Sequence, residues 1–194
     1  MEQIDQPRAH GLLAALGEQL GARGARFDLV VIGGSGLLAL GLINRPTRDV
    51  DVVALLQGRN LLAPRPLPDA LVAARDRVAR DFGLPDDWLN AAPADLLDLG
   101  LPTGFVDRLE RCDYGDALSV HFASRFDQIH FKLYAMVDQG AGKHEADLRA
   151  LEPTTEELVA AARWAQTHDP SEGFRTELRA ALLYLGAGDA VLDL

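Results

Sequence analysis

The sequence predicts an α+β fold, with a mixed sheet flanked by helices in its early part and helices alone at its end. The run Phe27–Ile32 is continuously apolar, as expected of a strand that is covered on both faces. After Ser124 the apolar residues recur at helical spacing only, for example Ile129, Leu133 and Val137. We therefore expect a domain over residues 1–150 and a helical extension over residues 151–194 that packs on it.

The first half alternates predicted helices and strands. Leu12, Leu16 and Leu20 fall on one face of a helix, and Pro46 disfavours helical backbone at Arg45. The predicted elements are a helix over 7–21, a strand over 27–32, a helix from Ser35 that ends by Asn44, a strand over 49–56, a loop over 57–68 and a helix over 69–82.

In the second half, helix-capping residues and glycines indicate where the predicted elements begin and end. Ser124 and Asp127 have the spacing of a helix start, and Gly140 and Gly142 end that helix. The predicted elements are a short helix around 94–99, either a strand pair or a short helix and a strand over 105–114 and 118–123, and helices over 124–139, 143–151, 153–167 and 174–185.

Composition limits the class of protein. The 19 Lys and Arg residues against 29 Asp and Glu residues give a net charge of −10, which argues against a surface that coats nucleic acid. The single cysteine, Cys112, excludes an internal disulfide and a thiolate metal cluster. No apolar run approaches the roughly 20 residues of a membrane span, and the start lacks a signal-peptide pattern. A cytoplasmic protein without membrane contact is expected.

Asp49 and Asp51 are the first candidate site residues. One residue separates them on an apolar strand, so both side chains leave the same face. Neighbouring carboxylates repel each other, and a divalent cation between them relieves that repulsion. Oxygen ligands of this kind suit Mg²⁺. The plainer alternative is a strand edge that is exposed to solvent.

A glycine-rich turn precedes these acids. Gly33 and Gly34 allow the backbone to approach a ligand, and Ser35 stands at the start of a helix, where N–H groups point at an anion. A phosphate-binding turn near a metal-binding pair indicates phosphoryl or nucleotidyl transfer.

Two spaced motifs resemble a known family. The pattern GGSxxLxxGxxxRxTxDxD, which includes Arg45 and Thr47, resembles the signature of the DNA polymerase beta nucleotidyltransferase superfamily. It is most similar to the AbiEii-type branch, the nucleotidyltransferase-like toxins of abortive-infection and type IV toxin–antitoxin systems. That branch also has a Lys-Leu-x-Ala segment and a Lys-x-x-x-Asp-Leu segment, here Lys132-Leu133-Tyr134-Ala135 and 143–148.

The resemblance implies a nucleotidyltransferase-like fold and a set of roles. Asp49 and Asp51 would bind Mg²⁺, and Lys132 and Asp147 would serve catalysis, Lys132 at a phosphate and Asp147 as a base or supporting acid. The nucleotide would be held by Gly33, Gly34, Ser35, Arg45 and Thr47. The implied partners are an NTP, an acceptor that is either tRNA or a small molecule, and an antitoxin of the same system.

The sequence departs from this pattern at two places. A third metal carboxylate usually comes from a later strand, and the candidate strand over 118–123 carries His121, with Asp116 nearby. An Arg common in the branch after the Lys-Leu-x-Ala segment is missing from residues 136–139. A catalytically weak or inactive nucleotide-binding regulatory protein therefore remains an alternative.

Two further alternatives stay open. Gly34, Gly36 and Ala39 after an apolar strand match a degenerate Rossmann fingerprint, which would indicate a dinucleotide-binding protein. The later segment could also be a surface helix, on which Lys143 and Asp147 would form a weak exposed ion pair.

Overall fold

The computed structural model describes residues 3–188. The chain divides into two compact units, Met1–Ser124 and Arg125–Leu194. This structural division falls after Ser124. The predicted domains, residues 1–150 and 151–194, concern the extent of a functional domain, and they stay a prediction.

The first unit combines one sheet with four α-helices, counted over its described residues. The helices are α1 Gln6–Gly21, α2 Gly33–Ala39, α3 Asp69–Phe82 and α4 Leu96–Leu99. The strands are β1 Phe27–Ile32, β2 Val50–Gln57, β3 Asn60–Leu62, β4 Leu89–Asn90, β5 Glu110–Asp113 and β6 Leu118–Phe122. Two 3₁₀ segments, Ala92–Asp95 and Phe105–Arg108, complete it.

The sheet is mixed, with strand order β3-β2-β1-β6-β5 and with β4 pairing β2 beside this path. β1 is antiparallel to β2 and parallel to β6. The predicted α+β fold with a mixed sheet is thereby confirmed. A Rossmann fold needs parallel strands joined by the crossover helix. The antiparallel pairing of β1 with β2 therefore shows that the dinucleotide-binding alternative is wrong.

The core of this unit lies between the sheet and two long helices. Leu12, Leu16 and Leu20 of α1 are fully buried, as their spacing predicted. Trp88 is also fully buried, and its indole N–H donates to the carbonyl of Arg75 at 3.1 Å. That bond ties the segment before β4 to α3, and so it helps to set the position of β4 beside β2.

Most predicted boundaries are close to the observed ones. The elements Phe27–Ile32 and Asp69–Phe82 match the predicted ranges. The predicted loop over 57–68 was wrong in part, because residues after Gly58 turn back as β3 against β2. Gly58 has φ +63, which allows the tight turn between the two strands.

The second unit is helical throughout its described residues. Its helices are α5 Arg125–Gln139, α6 Lys143–Ala150, α7 Thr155–His168 and α8 Glu172–Tyr184. Thr154 and Glu157 form a capping box at the start of α7. Trp164 lies within 6.0 Å of the rings of His130, Phe131 and Tyr134, which join α5 to α7.

Within residues 3–188, none of the helices has both the length and the apolar character needed to cross a membrane.

Candidate functional site

Asp49 and Asp51 stand where β2 begins, at the end of the sheet where β1 enters α2. Asp51 is the second residue of β2 and pairs with Ile32, the last residue of β1. Val50, between them, and Val52, after Asp51, are buried, so the two carboxylates share the half-buried face that the alternation predicted. The pairing of Asp51 with Ile32 puts the acids directly beside the glycine turn.

Gly33 and Asp51 are in close contact. A Cβ at Gly33 would lie 2.8 Å from Oδ2 of Asp51, and the φ of Gly33 is +77. Both facts favour glycine, because a side chain at Gly33 would meet the carboxylate and would also strain the backbone.

Arg45 and Thr47 lie over the next glycine. The position of a Gly34 Cβ is 3.3 Å from Nη2 of Arg45 and 3.3 Å from Oγ1 of Thr47. Thr47 exchanges two backbone hydrogen bonds with Ile4, each 2.9 Å long, so the segment that carries Arg45 and Thr47 is anchored. These two predicted nucleotide-binding residues therefore lie against the predicted phosphate-binding turn.

Ser35 is buried inside this turn, with 3% of its surface exposed. Its hydroxyl finds no hydrogen-bond partner among the described residues. A buried polar group without a partner costs about 1–3 kcal/mol. The hydroxyl is therefore a group that a ligand oxygen would satisfy.

An open cleft of about 690 Å³ borders Asp49. Its charged and polar lining consists of Asp49, Arg65, Asp69, Arg75, Asp87 and Asn90. Arg65 is held in place by hydrogen bonds to the carbonyls of Ala91 and Ala92, at 2.7 and 2.9 Å. The cleft thus combines carboxylates with guanidinium groups, and these are themselves paired, Arg65 with Asp95 and Arg75 with Asp76.

The neighbour of Asp51 on the other side is Asn90. β4 is parallel to β2, and Asp51 and Asn90 are paired in the ladder. The strand that carries His121 is β6, which pairs with β1 and not with β2. His121 instead lies 2.8 Å from the carboxylate of Asp28, on β1. His121 therefore does not lie next to Asp51, and the residue that pairs with Asp51 on this side is Asn90. A third metal ligand on the strand over 118–123 stays a prediction.

In the second unit, Lys132 of α5 and Asp147 of α6 form an ion pair. Nζ of Lys132 lies 2.7 Å from Oδ2 of Asp147, and the side chains are 6% and 1% exposed. The alternative of a surface helix with an exposed Lys143–Asp147 pair is therefore wrong for Asp147. These two predicted catalytic residues are in contact with each other, through a pairing between two helices.

Sequence reasoning missed Asn90, Arg65 and Arg75 as residues of the site. Arg65 lies within a three-proline segment that carries no periodic signal, and Asn90 lies in a strand of two residues. Residues 45–80 contain seven arginines, and this local enrichment is the sequence signal by which the two arginines could have been found.

The donor set near the turn fits a hard divalent cation. The carboxylates of Asp49 and Asp51 and the amide of Asn90 supply oxygen atoms, which Mg²⁺ prefers. No cluster of three or more His, Cys, Asp or Glu side chains suited to a metal occurs in residues 3–188.

Comparison with known proteins places the chain in a family. The model of a family described as "Nucleotidyltransferase of unknown function (DUF6036)" matches residues 12–148, more than half of the chain. No curated protein and no solved structure gives a significant match. The chain therefore belongs to this nucleotidyltransferase family.

Proposed function

We propose that the protein is a Mg²⁺-dependent nucleotidyltransferase of the AbiEii type, which transfers an NMP from an NTP to a hydroxyl of an RNA acceptor such as tRNA. The observation that carries the proposal is the contact of Asp51 with Gly33, which joins the paired acids to the glycine turn. The membership of the chain in a nucleotidyltransferase family supports it.

The residues of the turn have complementary tasks in this reaction. The backbone of Gly33 and Gly34 and the hydroxyl of Ser35 would bind the phosphates, since Ser35 is buried and has no partner among the described residues. Arg45 and Thr47, which lie next to Gly34, would position the nucleotide. Because the turn is built into the fold, little reorganisation would be needed when the nucleotide binds.

The chemical step breaks one bond and forms one. The acceptor oxygen attacks the α-phosphorus, the bond from that phosphorus to the bridging oxygen breaks, and pyrophosphate leaves with the electron pair. The hydroxyl proton would pass to a carboxylate of the site. Asp49 borders the open cleft, and Asp147 is the base that the resemblance implies. Asp49 and Asp51 would hold Mg²⁺, which neutralises the charge that develops on the phosphate oxygens.

Lys132 and Asp147 carry the roles that the family resemblance implies, contact with a phosphate and support as an acid or base. Their buried ion pair holds the two side chains in a fixed arrangement.

The acceptor class is proposed from the charges in the cleft. Arg65 and Arg75 in the cleft would favour an acceptor that carries phosphate, as RNA does, over an uncharged small molecule. The net charge of −10 limits any such contact to a local patch. An antitoxin protein of the same system is the expected regulatory partner.

The decisive experiment is a label-transfer assay with purified protein, Mg²⁺ and total tRNA. Each of the four NTPs is supplied with the label at the α-phosphate and, in parallel, at the γ-phosphate. We expect the α label and not the γ label to appear on tRNA. Asp49→Asn and Asp51→Asn should abolish transfer, whereas Asp98→Asn, at an exposed position on α4, should retain it.

Two results would overturn the proposal. Transfer of the γ label would indicate a phosphotransferase, and aspartate-dependent nucleotide binding without transfer to any acceptor would favour the inactive regulatory alternative. Aminoglycosides and other small hydroxyl compounds are tested in the same assay, because transfer to them alone would replace the RNA acceptor.

A further inference from the structure

Asn90 lies at the same level of the sheet as Asp51. The two residues are paired on parallel strands, and adjacent strands are about 4.8 Å apart. Paired residues direct their side chains to the same face, so the Asn90 amide lies on the face of the Asp51 carboxylate. Asn90 also lines the cleft together with Asp49. Asn90 is thus paired with Asp51 and lines the same cleft as Asp49.

The orientation of the Asn90 amide is set by the backbone around it. Oδ1 accepts a hydrogen bond from the N–H of Ala92 at 2.8 Å, and Nδ2 donates to the carbonyl of Asp87 at 3.4 Å. An amide oxygen has two lone pairs, and the bond from Ala92 uses one of them. The oxygen is therefore held in place with acceptor capacity to spare.

We propose that Oδ1 of Asn90 is the third protein ligand of the divalent cation that Asp49 and Asp51 hold. This inference rests on the proposed function, and it identifies the residue that occupies the third position in this chain. Amide oxygens are accepted ligands of hard cations, and their neutrality distinguishes this site from one with three carboxylates.

The neutral ligand has a functional consequence. Two carboxylates and an amide carry two negative charges, one fewer than three carboxylates would. The bare cation is then bound weakly, and the phosphates of the nucleotide supply the missing charge. Cation binding is therefore coupled to nucleotide binding in this protein.

The test measures Mn²⁺ binding to the full chain, by the electron paramagnetic resonance signal of the free ion. Titrations are made without nucleotide and with an NTP analogue whose α,β bridge is methylene. We expect Asn90→Ala to weaken Mn²⁺ binding in the presence of the analogue by roughly ten-fold or more. Asn90→Asp adds the charge, and it should tighten binding without the analogue by roughly ten-fold.

Two controls separate ligation from other effects. Asn60→Asp, at an exposed position on β3, makes the same change of charge elsewhere in the sheet and should leave Mn²⁺ binding as in the wild type. Asn90→Asp is also a control for misfolding, because its carboxylate can still accept the hydrogen bond from the N–H of Ala92.

The outcomes distinguish this inference from the proposed function. If Asp51→Asn abolishes Mn²⁺ binding while both Asn90 variants bind as the wild type does, Asn90 only shapes the turn and the inference is wrong. If the wild type binds no Mn²⁺ in an aspartate-dependent way, with or without the analogue, the proposed function fails as well. The inference would also be overturned if Asn60→Asp and Asn90→Asp tightened Mn²⁺ binding equally and Asn90→Ala did not weaken Mn²⁺ binding.

Discussion

The carboxylate of Asp51 lies against the backbone of Gly33, with Oδ2 only 2.8 Å from the place of a Gly33 Cβ. This contact joins two segments that are separate in the sequence, the end of β1 and the start of β2. It means that a side chain at Gly33 and a correctly placed carboxylate at Asp51 exclude each other.

Gly33→Ala should therefore impair function more than stability. The positive φ makes alanine cost about 1–3 kcal/mol of unfolding free energy, and the new methyl group also displaces the Asp51 carboxylate. We expect nucleotidyl transfer and Mn²⁺ binding to be lost in a protein that still folds. Urea unfolding, the label-transfer assay and the Mn²⁺ titration measure the three quantities.

Gly24→Ala is the matched control for this substitution. Gly24 has φ +65, and nothing lies within 4 Å of its Cβ position. It should cost a similar unfolding free energy and leave transfer unchanged. Equal activity of the two variants would show that the contact with Asp51 does not matter.

The buried hydroxyl of Ser35 predicts a variant that loses nucleotide binding without losing stability. Ser35→Ala removes a buried polar group that has no partner among the described residues, so stability should stay equal or rise. A hydrogen bond to a charged group is worth about 1.5–3 kcal/mol, so the Kd of an NTP should rise roughly 10- to 100-fold. Calorimetric titration and thermal unfolding give both values.

Ser119→Ala is the comparison. The hydroxyl of Ser119, on β6, already has hydrogen-bond partners, since it donates to Asp113 and accepts from Arg111. This substitution should not change the Kd. A Ser35→Ala variant that binds NTP as the wild type does, and unfolds earlier, would show that the hydroxyl is structural.

The sequence predicted the turn and its two acids because their signals are local. The apolar strand Phe27–Ile32 ends at Gly33, and the alternation around Asp49 and Asp51 requires no distant contact. The helix Asp69–Phe82 was predicted for the same reason, since its apolar face and the glycine that follows are adjacent in sequence.

The pairing of Asn90 with Asp51 could not be predicted in this way. β4 has two residues, too few for any periodicity, and the N–H of Val50 donates to the carbonyl of Trp88 at 2.6 Å where β4 joins β2. Which strand lies beside β2 is likewise a non-local fact, so the sequence does not indicate that Asn90, and not His121, lies next to Asp51. The contact of Lys132 with Asp147 is also formed between two helices, and no spacing within either helix indicates it.

The buried pair of Lys132 and Asp147 predicts that a single substitution is strongly destabilising and that a second substitution compensates for it. Lys132→Met leaves the Asp147 carboxylate buried without its cation, which should cost about 3–5 kcal/mol. Combining it with Asp147→Leu removes both charges and should restore most of the loss. Urea unfolding of the wild type, the two single variants and the double variant measures the coupling.

Two further measurements make this prediction specific. The double variant should be stable and still inactive in the label-transfer assay, if both residues serve catalysis. Arg175→Met, which breaks an exposed pair with Glu172 on α8, should change stability little. Additive losses from Lys132→Met and Asp147→Leu would contradict the coupling.

Glu157 predicts a dependence of stability on pH. Its carboxylate accepts hydrogen bonds from Arg125 at 2.6 and 3.0 Å and from the Thr154 N–H at 2.9 Å. The bonds from Arg125 are the main cause that lowers the pKa of Glu157 below its ordinary value of 4.5. Because the folded pKa lies below the unfolded one, the stabilisation is complete above pH 4.5 and is lost as the pH falls through the folded pKa.

Glu157→Gln should therefore lower the unfolding free energy near neutral pH by about 1 kcal/mol, a figure reduced for the solvent exposure of Arg125. The difference from the wild type should shrink below pH 4.5, as the wild-type carboxyl takes up its proton. Urea unfolding over a pH series measures it, with Glu177→Gln at an exposed position of α8 as the control. A difference that stays constant to the acid end of the folded range would mean that the ionised carboxylate contributes nothing, and that the capping geometry alone stabilises the start of α7.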